Sequence, residues 1–246
     1  MGTKALHFYP GHFPATSANI AGTGASMGPG LLILFEGKTA LHSTKAWGGP
    51  SKTIPVSNGP NFTPTPAGTY VLLRPKPYFT RSWKFSEIPW GTPIKESPTD
   101  ASDVWYKLPT KGSGKETWAS TTKSFGITKQ DIKQYYEQLY GVPDYVPDKW
   151  LFNAFGPVAV RFFKDKNNNR VLDRGSEHIE GAMFHTTAEN EAQVAWQKPV
   201  KMTNSHGCIH LQPKDRNLLI NLGGLKAGVT LVIHPYGAKY SGPGAP

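Results

Sequence analysis

Glycine and proline cut this chain into short stretches, and that limits what it can fold into more than any other feature does. They account for 48 of its 246 residues, 26 Gly and 22 Pro. Proline withholds a backbone N–H and fixes φ, while glycine loses the most entropy on being ordered, so both end strands and helices. The share exceeds that of an average globular protein but stays below that of low-complexity disordered chains. With many Thr and aromatic residues alongside, the pattern predicts a mostly β fold of short strands and tight turns with a few short helices. The longest apolar run, Leu31–Phe35, is far too short for a membrane-spanning helix, so no transmembrane segment is expected.

Read in order, residues 1–30 are rich in Gly, Ala, Ser and Pro, ending Gly22-Thr23-Gly24-Ala25-Ser26-Met27-Gly28-Pro29-Gly30, and predict a weakly structured arm or a loop packed on the domain. Leu31–Phe35 predicts a buried strand, Glu36-Gly37-Lys38 a turn, and Thr39–Ser43 the returning strand of a hairpin. Trp47-Gly48-Gly49-Pro50 breaks it. Ile54–Ser57 and Tyr70–Leu73 read as further strands. Between them Pro64-Thr65-Pro66 cannot donate ladder hydrogen bonds at its prolines and reads as a rigid connector outside the chemistry.

Residues 76–150 change character, with prolines at 77, 89, 93, 98 and 109 and tryptophans at 83, 90, 105 and 118. They read as an insertion whose aromatics either grip substrate, as a lid or wall, or fill a small satellite core. One helix is well marked inside it. Thr128 and Asp131 form a capping box, Ile132, Tyr135, Tyr136 and Leu139 share a face, and Gly141 and Pro143 stop it.

Phe155–Phe163 resumes the strand pattern. Asp165–Asp173 has oxygen-bearing residues at positions 1, 3, 5 and 9 of a calcium-loop spacing. Arg170 stands where such a loop needs Gly, however, and Ser176 where it needs Glu, so a solvated turn is the better reading. Ile179–His185 is extended, and Thr186–Asn204 reads as a loop with a helical turn through Glu189–Val194. Pro213–Leu222 is a helix stopped by Gly223-Gly224, Val229–Ile233 a strand, and Tyr236–Pro246 a loose tail.

The chemistry concentrates in Ser205-His206-Gly207-Cys208-Ile209-His210-Leu211. Cys208 is the sole cysteine, which excludes an internal disulfide. Most lone cysteines are small buried hydrophobes. This one stands between imidazoles and behind a glycine, whose backbone turns sharply enough to aim N–H groups at a carbonyl. That composition favours a nucleophile. His185, in Met183-Phe184-His185-Thr186-Thr187, is the expected base, with His178 as fallback. The N–H groups of His206, Gly207 and Cys208 are the expected oxyanion donors. Ser205, Thr186 and His210 are expected to contact substrate. With no second thiol and no HExxH-type pair, neither a metal nor another cofactor is assigned.

Three separated segments resemble one family in the right order. They are Ser205–Ile209, Met183–Thr187, and Ile54-Pro55-Val56-Ser57-Asn58-Gly59 followed by Thr63-Pro64-Thr65-Pro66-Ala67-Gly68-Thr69-Tyr70. The family is the L,D-transpeptidase catalytic domain (YkuD-like). The resemblance covers roughly 31–75 and 151–235, which implies a catalytic domain over 31–235 with insertion 76–150, arm 1–30 and tail 236–246. It implies a β-sandwich or barrel-like fold and a Cys208 acyl-enzyme formed on a peptidoglycan stem tetrapeptide. The stem would be cut after its third residue, a diamino acid, with loss of D-Ala. The amine of another stem would then complete a 3-3 cross-link. The sequence departs from relatives at Thr186, often Gly, at His210, often Arg or Asn, and in a slightly longer His185–Ser205 gap. His210 and the insertion bear on the choice of acceptor, and hydrolysis, an L,D-carboxypeptidase activity, is the alternative.

Net charge is +10, from 27 basic and 17 acidic residues. The lysines are scattered, and no Arg-rich helix, zinc-finger spacing or RNA-binding signature is present, so nucleic acid is not an expected partner. Acidic wall polymers suit the same charge. Wall chemistry implies the periplasm or cell wall. Met1–Pro10 lacks a basic-then-apolar leader pattern, so a leader outside this sequence or injection as a wall-damaging effector is expected. An inactive wall-binding module is the reading from another class, and the complete Cys-His-Gly set argues against it. The oligomeric state is not legible.

Overall fold

The computed structural model describes residues 3–14, 28–109, 116–203 and 205–242. In chain order the strands and helices are β1 (Lys4–Tyr9), β2 (Gly30–Glu36), β3 (Thr39–Ala46), β4 (Gly68–Leu72), β5 (Ile94–Glu96), β6 (Val104–Lys107), β7 (Trp118–Ser120), α1 (Thr121–Phe125), α2 (Lys129–Tyr140), β8 (Val160–Phe163), β9 (Ile179–His185), α3 (Ala188–Ala195), β10 (Ile209–His210), α4 (Pro213–Asn221) and β11 (Thr230–Ile233). The fold is mostly β, as the punctuation predicts. The chain divides into two compact units.

The first unit comprises Met1–Pro75, Ala159–His185 and Lys201–Pro246. It is built on an eight-stranded sheet in the order β10-β9-β8-β4-β11-β1-β2-β3. Only β1 with β11 and β9 with β10 run parallel; the other pairs are antiparallel. The β2–β3 hairpin closes on Gly37 and Lys38, with Gly37 at φ +60°, which a two-residue turn requires of its first residue. Leu31, Leu32, Ile33 and Leu34 are all buried, so β2 is covered on both faces.

That double burial corrects two expectations. Residues 4–9 are not part of a loose arm: β1 pairs with β2 on one side and β11 on the other, and Leu6 and Phe8 are fully buried. The tail up to residue 242 is not loose either. Tyr240 and Ala238 pack with Phe13 and Phe35 against Tyr9, Leu31 and Ile33. Gly237 N–H donates to the Pro10 carbonyl at 2.9 Å, and Lys239 Nζ reaches the Gly11 and His12 carbonyls. An apolar strand with two faces needs two covers, and the chain ends supply one of them. Residues 1–2, 15–27 and 243–246, which include Gly22–Met27 of the Gly-rich stretch and the end of the tail, lie outside the described residues, as does Asn204. Ile54–Ser57 is not a strand; only an isolated bridge joins Ile54 to Phe62.

The second unit comprises Lys76–Val158 and Thr186–Val200. It has its own three-stranded antiparallel sheet, β5-β6-β7, and its own core of Ile88, Ile94, Val104, Ile127, Ile132, Trp150 and Phe152. Helix α2 begins and ends where the sequence predicts. Thr128 and Asp131 close a reciprocal capping box, and Gly141 ends the helix at φ +68°. Trp150 is buried with its Nε1–H donated to the Phe85 carbonyl at 2.8 Å. Trp83, Trp90, Trp105 and Trp118, the four flagged in the sequence, lie outside this core. The turn expected near Glu189–Val194 is a full helix, α3, capped by the Thr187 hydroxyl.

Candidate active site

Strand β10 is two residues long, too short to hold a position by its own ladder. It is pinned from both sides. On one side it runs parallel to β9, with Ile209 opposite Phe184 and His210 opposite His185, and Leu211 N–H donates to the His185 carbonyl at 3.1 Å. On the other side His210 and Trp47 exchange both backbone hydrogen bonds, at 2.8 and 3.0 Å. The register sets the His185 and His210 rings on one face, 4.5 Å apart and edge to face. Cys208 immediately precedes this strand, and Met183 N–H donates to its sulfur. The thiol therefore lies against β9 two residues ahead of His185.

The loop before β10 is held by its own serine. Ser205 Oγ accepts the Gly207 N–H at 3.1 Å and donates to the Cys208 carbonyl, and Ser205 N–H donates to the Gly48 carbonyl at 3.1 Å. Thr63 Oγ1 donates to the His206 carbonyl at 2.7 Å, and Thr65 Oγ1 accepts the Gly49 N–H at 2.9 Å. Gly207 sits at φ +120°, where a side chain is strained. Gly49 passes so close to this loop that a Cβ there would lie 1.8 Å from the Thr63 carbonyl oxygen and 3.1 Å from the Gly207 Cα. Trp47-Gly48-Gly49 thus does more than end a hairpin, and Thr63–Pro66 is no passive connector. Both segments clamp the cysteine loop.

Beside this loop lies an open pocket of about 430 Å³ formed by Thr63, Pro64, Pro66, Glu180, Gly181, Ala182, His206, Gly207 and Cys208. Cys208 as a residue is partly exposed. Its sulfur is nonetheless set deeply enough that burial pushes the thiol up to about 11, with the Met183 N–H acting weakly the other way. The thiol is therefore protonated at neutral pH. His206 stacks on Phe62 with ring centroids 3.9 Å apart, and burial lowers its pKa. His210 is pushed down to about 3, chiefly by burial and then by the His185 charge, so its ring is neutral across the physiological range. Its Nδ1 lies 3.2 Å from the Thr203 carbonyl, which fixes the ring.

The site residues expected from the sequence lie in different surroundings. Cys208, His206 and Gly207 line one pocket, whereas His185, paired in register with His210, is buried and does not line it. Ser205 is 1 % exposed, and its hydroxyl is bonded inside the loop that it positions. Thr186 is fully buried, and its hydroxyl donates to Glu191 within the second unit. His210 packs on His185 and is absent from the pocket lining. The Gly207 N–H, expected to serve an oxyanion, is committed to Ser205. Among the described residues, the N–H groups of His206 and Cys208 donate to no protein acceptor. His178 is exposed and does not line the pocket.

The Asn-rich turn folds on itself, Asp165 Oδ2 accepting the Arg170 N–H at 2.8 Å. Among the described residues, no group of three or more His, Cys, Asp or Glu is placed to hold a metal, and no helix is long and apolar enough to cross a membrane.

The sequence pattern of the family described as YkuD, L,D-transpeptidase catalytic domain, matches residues 38–232. No curated protein and no solved structure matched the chain.

Proposed function

Because the chain belongs to the L,D-transpeptidase catalytic-domain family, whose members act on peptidoglycan, we propose that it is a cysteine acyltransferase with Cys208 as nucleophile and His185 as base. The observation that carries this reading is the β9–β10 register, which sets the one thiol of the chain beside the strand that ends in His185 and in the wall of a pocket. A stem tetrapeptide is the donor. Its carbonyl between the third residue and the terminal D-Ala meets the sulfur.

A thiol held near 11 carries no standing charge at neutral pH, so deprotonation accompanies attack. His185 takes the proton as the C–S bond forms. The carbonyl oxygen, now negative, receives the free N–H groups of Cys208 and His206. On collapse the C–N bond breaks, and His185 returns the proton to the departing D-Ala amine. The amine of a second stem then attacks the thioester, giving the 3-3 cross-link and restoring the thiol. His210 stays neutral behind His185, where a charged ring would oppose the imidazolium that forms.

Hydrolysis is the second reading, favoured by the partial exposure of Cys208, which lets water reach the thioester. The site of action in either case is the periplasm or cell wall. Mass spectrometry of muropeptides incubated with the protein separates the outcomes: dimers for transpeptidation, shortened monomers for carboxypeptidation. Cys208→Ala is expected to abolish both products and covalent labelling by a carbapenem. His185→Ala is expected to slow acylation by about 10²- to 10⁴-fold, the usual worth of a general base. Carbapenem labelling of a residue other than Cys208 overturns the nucleophile assignment, and unchanged muropeptides with wild-type protein favour the inactive wall-binding module.

A further inference from the structure

The pocket in front of Cys208 has one carboxylic side chain in its wall and no Lys or Arg, in a chain of net charge +10. The other lining residues are threonine, two prolines, two glycines, an alanine, the neutral thiol, and His206, whose pKa burial lowers. The acid is Glu180, half-buried on β9. Its carboxylate forms no hydrogen bond and no ion pair among the described residues. Two neighbouring donors have backbone carbonyls as partners. Arg161 Nη2 donates to the backbone carbonyl of Glu180, at 3.3 Å. Tyr70 O–H lies on the Pro66 and Ala67 carbonyls at 3.1 and 3.3 Å. The Glu180 charge adds to burial in raising the Tyr70 pKa. Gly181 and Ala182 beside it leave room for a ligand.

We propose that Glu180 is the specificity-determining residue of this pocket, holding the spare side-chain ammonium of the acyl donor while Cys208 attacks that donor's carbonyl. The assignment rests on the acyl-transfer reading above. A carboxylate suits a cation that does not react. It stabilises the protonated form of any amine it binds, and an attacking amine must be unprotonated. Glu180 therefore fits the donor's spectator amine and works against an acceptor bound in its place. Small neutral walls and a single charge make a site that reads one ammonium and tolerates variation elsewhere.

The test uses two synthetic stem tetrapeptides ending in D-Ala, identical except that the side-chain amine of the third residue is free in one and N-acetylated in the other. Release of D-Ala gives kcat/KM for each. Wild type is expected to prefer the free amine by about 10- to 100-fold, the worth of a charge-assisted hydrogen bond of about 1.5–3 kcal/mol. In Glu180→Gln the ratio of the two constants falls toward one, with the change carried by KM, because the contact lies away from the reacting bond. Glu180→Asp retains a preference for the free amine, and Glu180→Lys reverses it. A wild-type ratio near one, or a ratio undiminished in Glu180→Gln, overturns the assignment while leaving acyl transfer standing. If neither peptide acylates wild-type Cys208, the acyl-transfer reading falls and takes this assignment with it.

Discussion

Cys208 and Ser205 divide the work of the site between them, and only one of them announces it. A lone thiol between imidazoles is conspicuous in any sequence. A serine three residues earlier gives no sign that its hydroxyl is both acceptor for Gly207 N–H and donor to the Cys208 carbonyl. Type and spacing suggest a substrate contact, whereas burial makes it the clasp of the loop. Ser205→Ala leaves a buried N–H and a buried carbonyl without partners. It is expected to cost about 2 kcal/mol of stability, read by denaturant unfolding, and to lower kcat more than KM as the loop loosens. Ser205→Thr, which restores a hydroxyl, should recover most of both. An unchanged kcat in Ser205→Ala would mean that the loop is held without the clasp. His185 was singled out in the same way as Cys208, by residue type and neighbourhood. Thr186 was not, because whether its side chain faces a pocket or the interior depends on contacts made across the fold.

At the scale of elements, the most fully marked local signal was read correctly. Helix α2 carries its start, face and stop within sixteen residues of sequence, Thr128 to Pro143, and folds with the predicted capping box. Thr128→Ala removes the hydroxyl that accepts the Asp131 N–H and is expected to cost about 1 kcal/mol, seen as a lower unfolding midpoint. Thr128→Ser should be close to neutral. Strand β10 is the opposite case. Two residues cannot declare a strand, and it exists because β9 and Trp47 grip it from either side. The Ile54–Ser57 strand was expected from its apolar residues and did not form, since only one bridge partner, Phe62, is offered to it.

In the first unit as a whole, β1 carries the largest difference between reading and structure. Averaged over residues 1–30, composition reads as a loose arm, yet Lys4–Tyr9 lies inside the eight-stranded sheet. Its pairing with β11 joins Ala5 to Thr230 and Phe8 to Ile233, from opposite ends of the chain. A variant lacking residues 1–9 is expected to lose the cooperative thermal transition of the first unit and to aggregate, because β2 and β11 would become bare edges and Leu6 and Phe8 would vacate the core. An unaltered transition would restore the arm reading.

By itself the sequence determined the β-rich class, helix α2, the family and the identity of the thiol and its neighbouring histidines. Those are properties of composition, of short-range periodicity and of contiguous motifs, all of which a linear chain displays. Only the tertiary structure decided that β1 is an inner strand, that Ser205 and Thr186 are buried, that Thr63 and Gly49 brace the cysteine loop, and that Glu180 shares a pocket with Cys208. Each of these depends on which distant segments are brought into register, and on which face of a strand is left to water once they are.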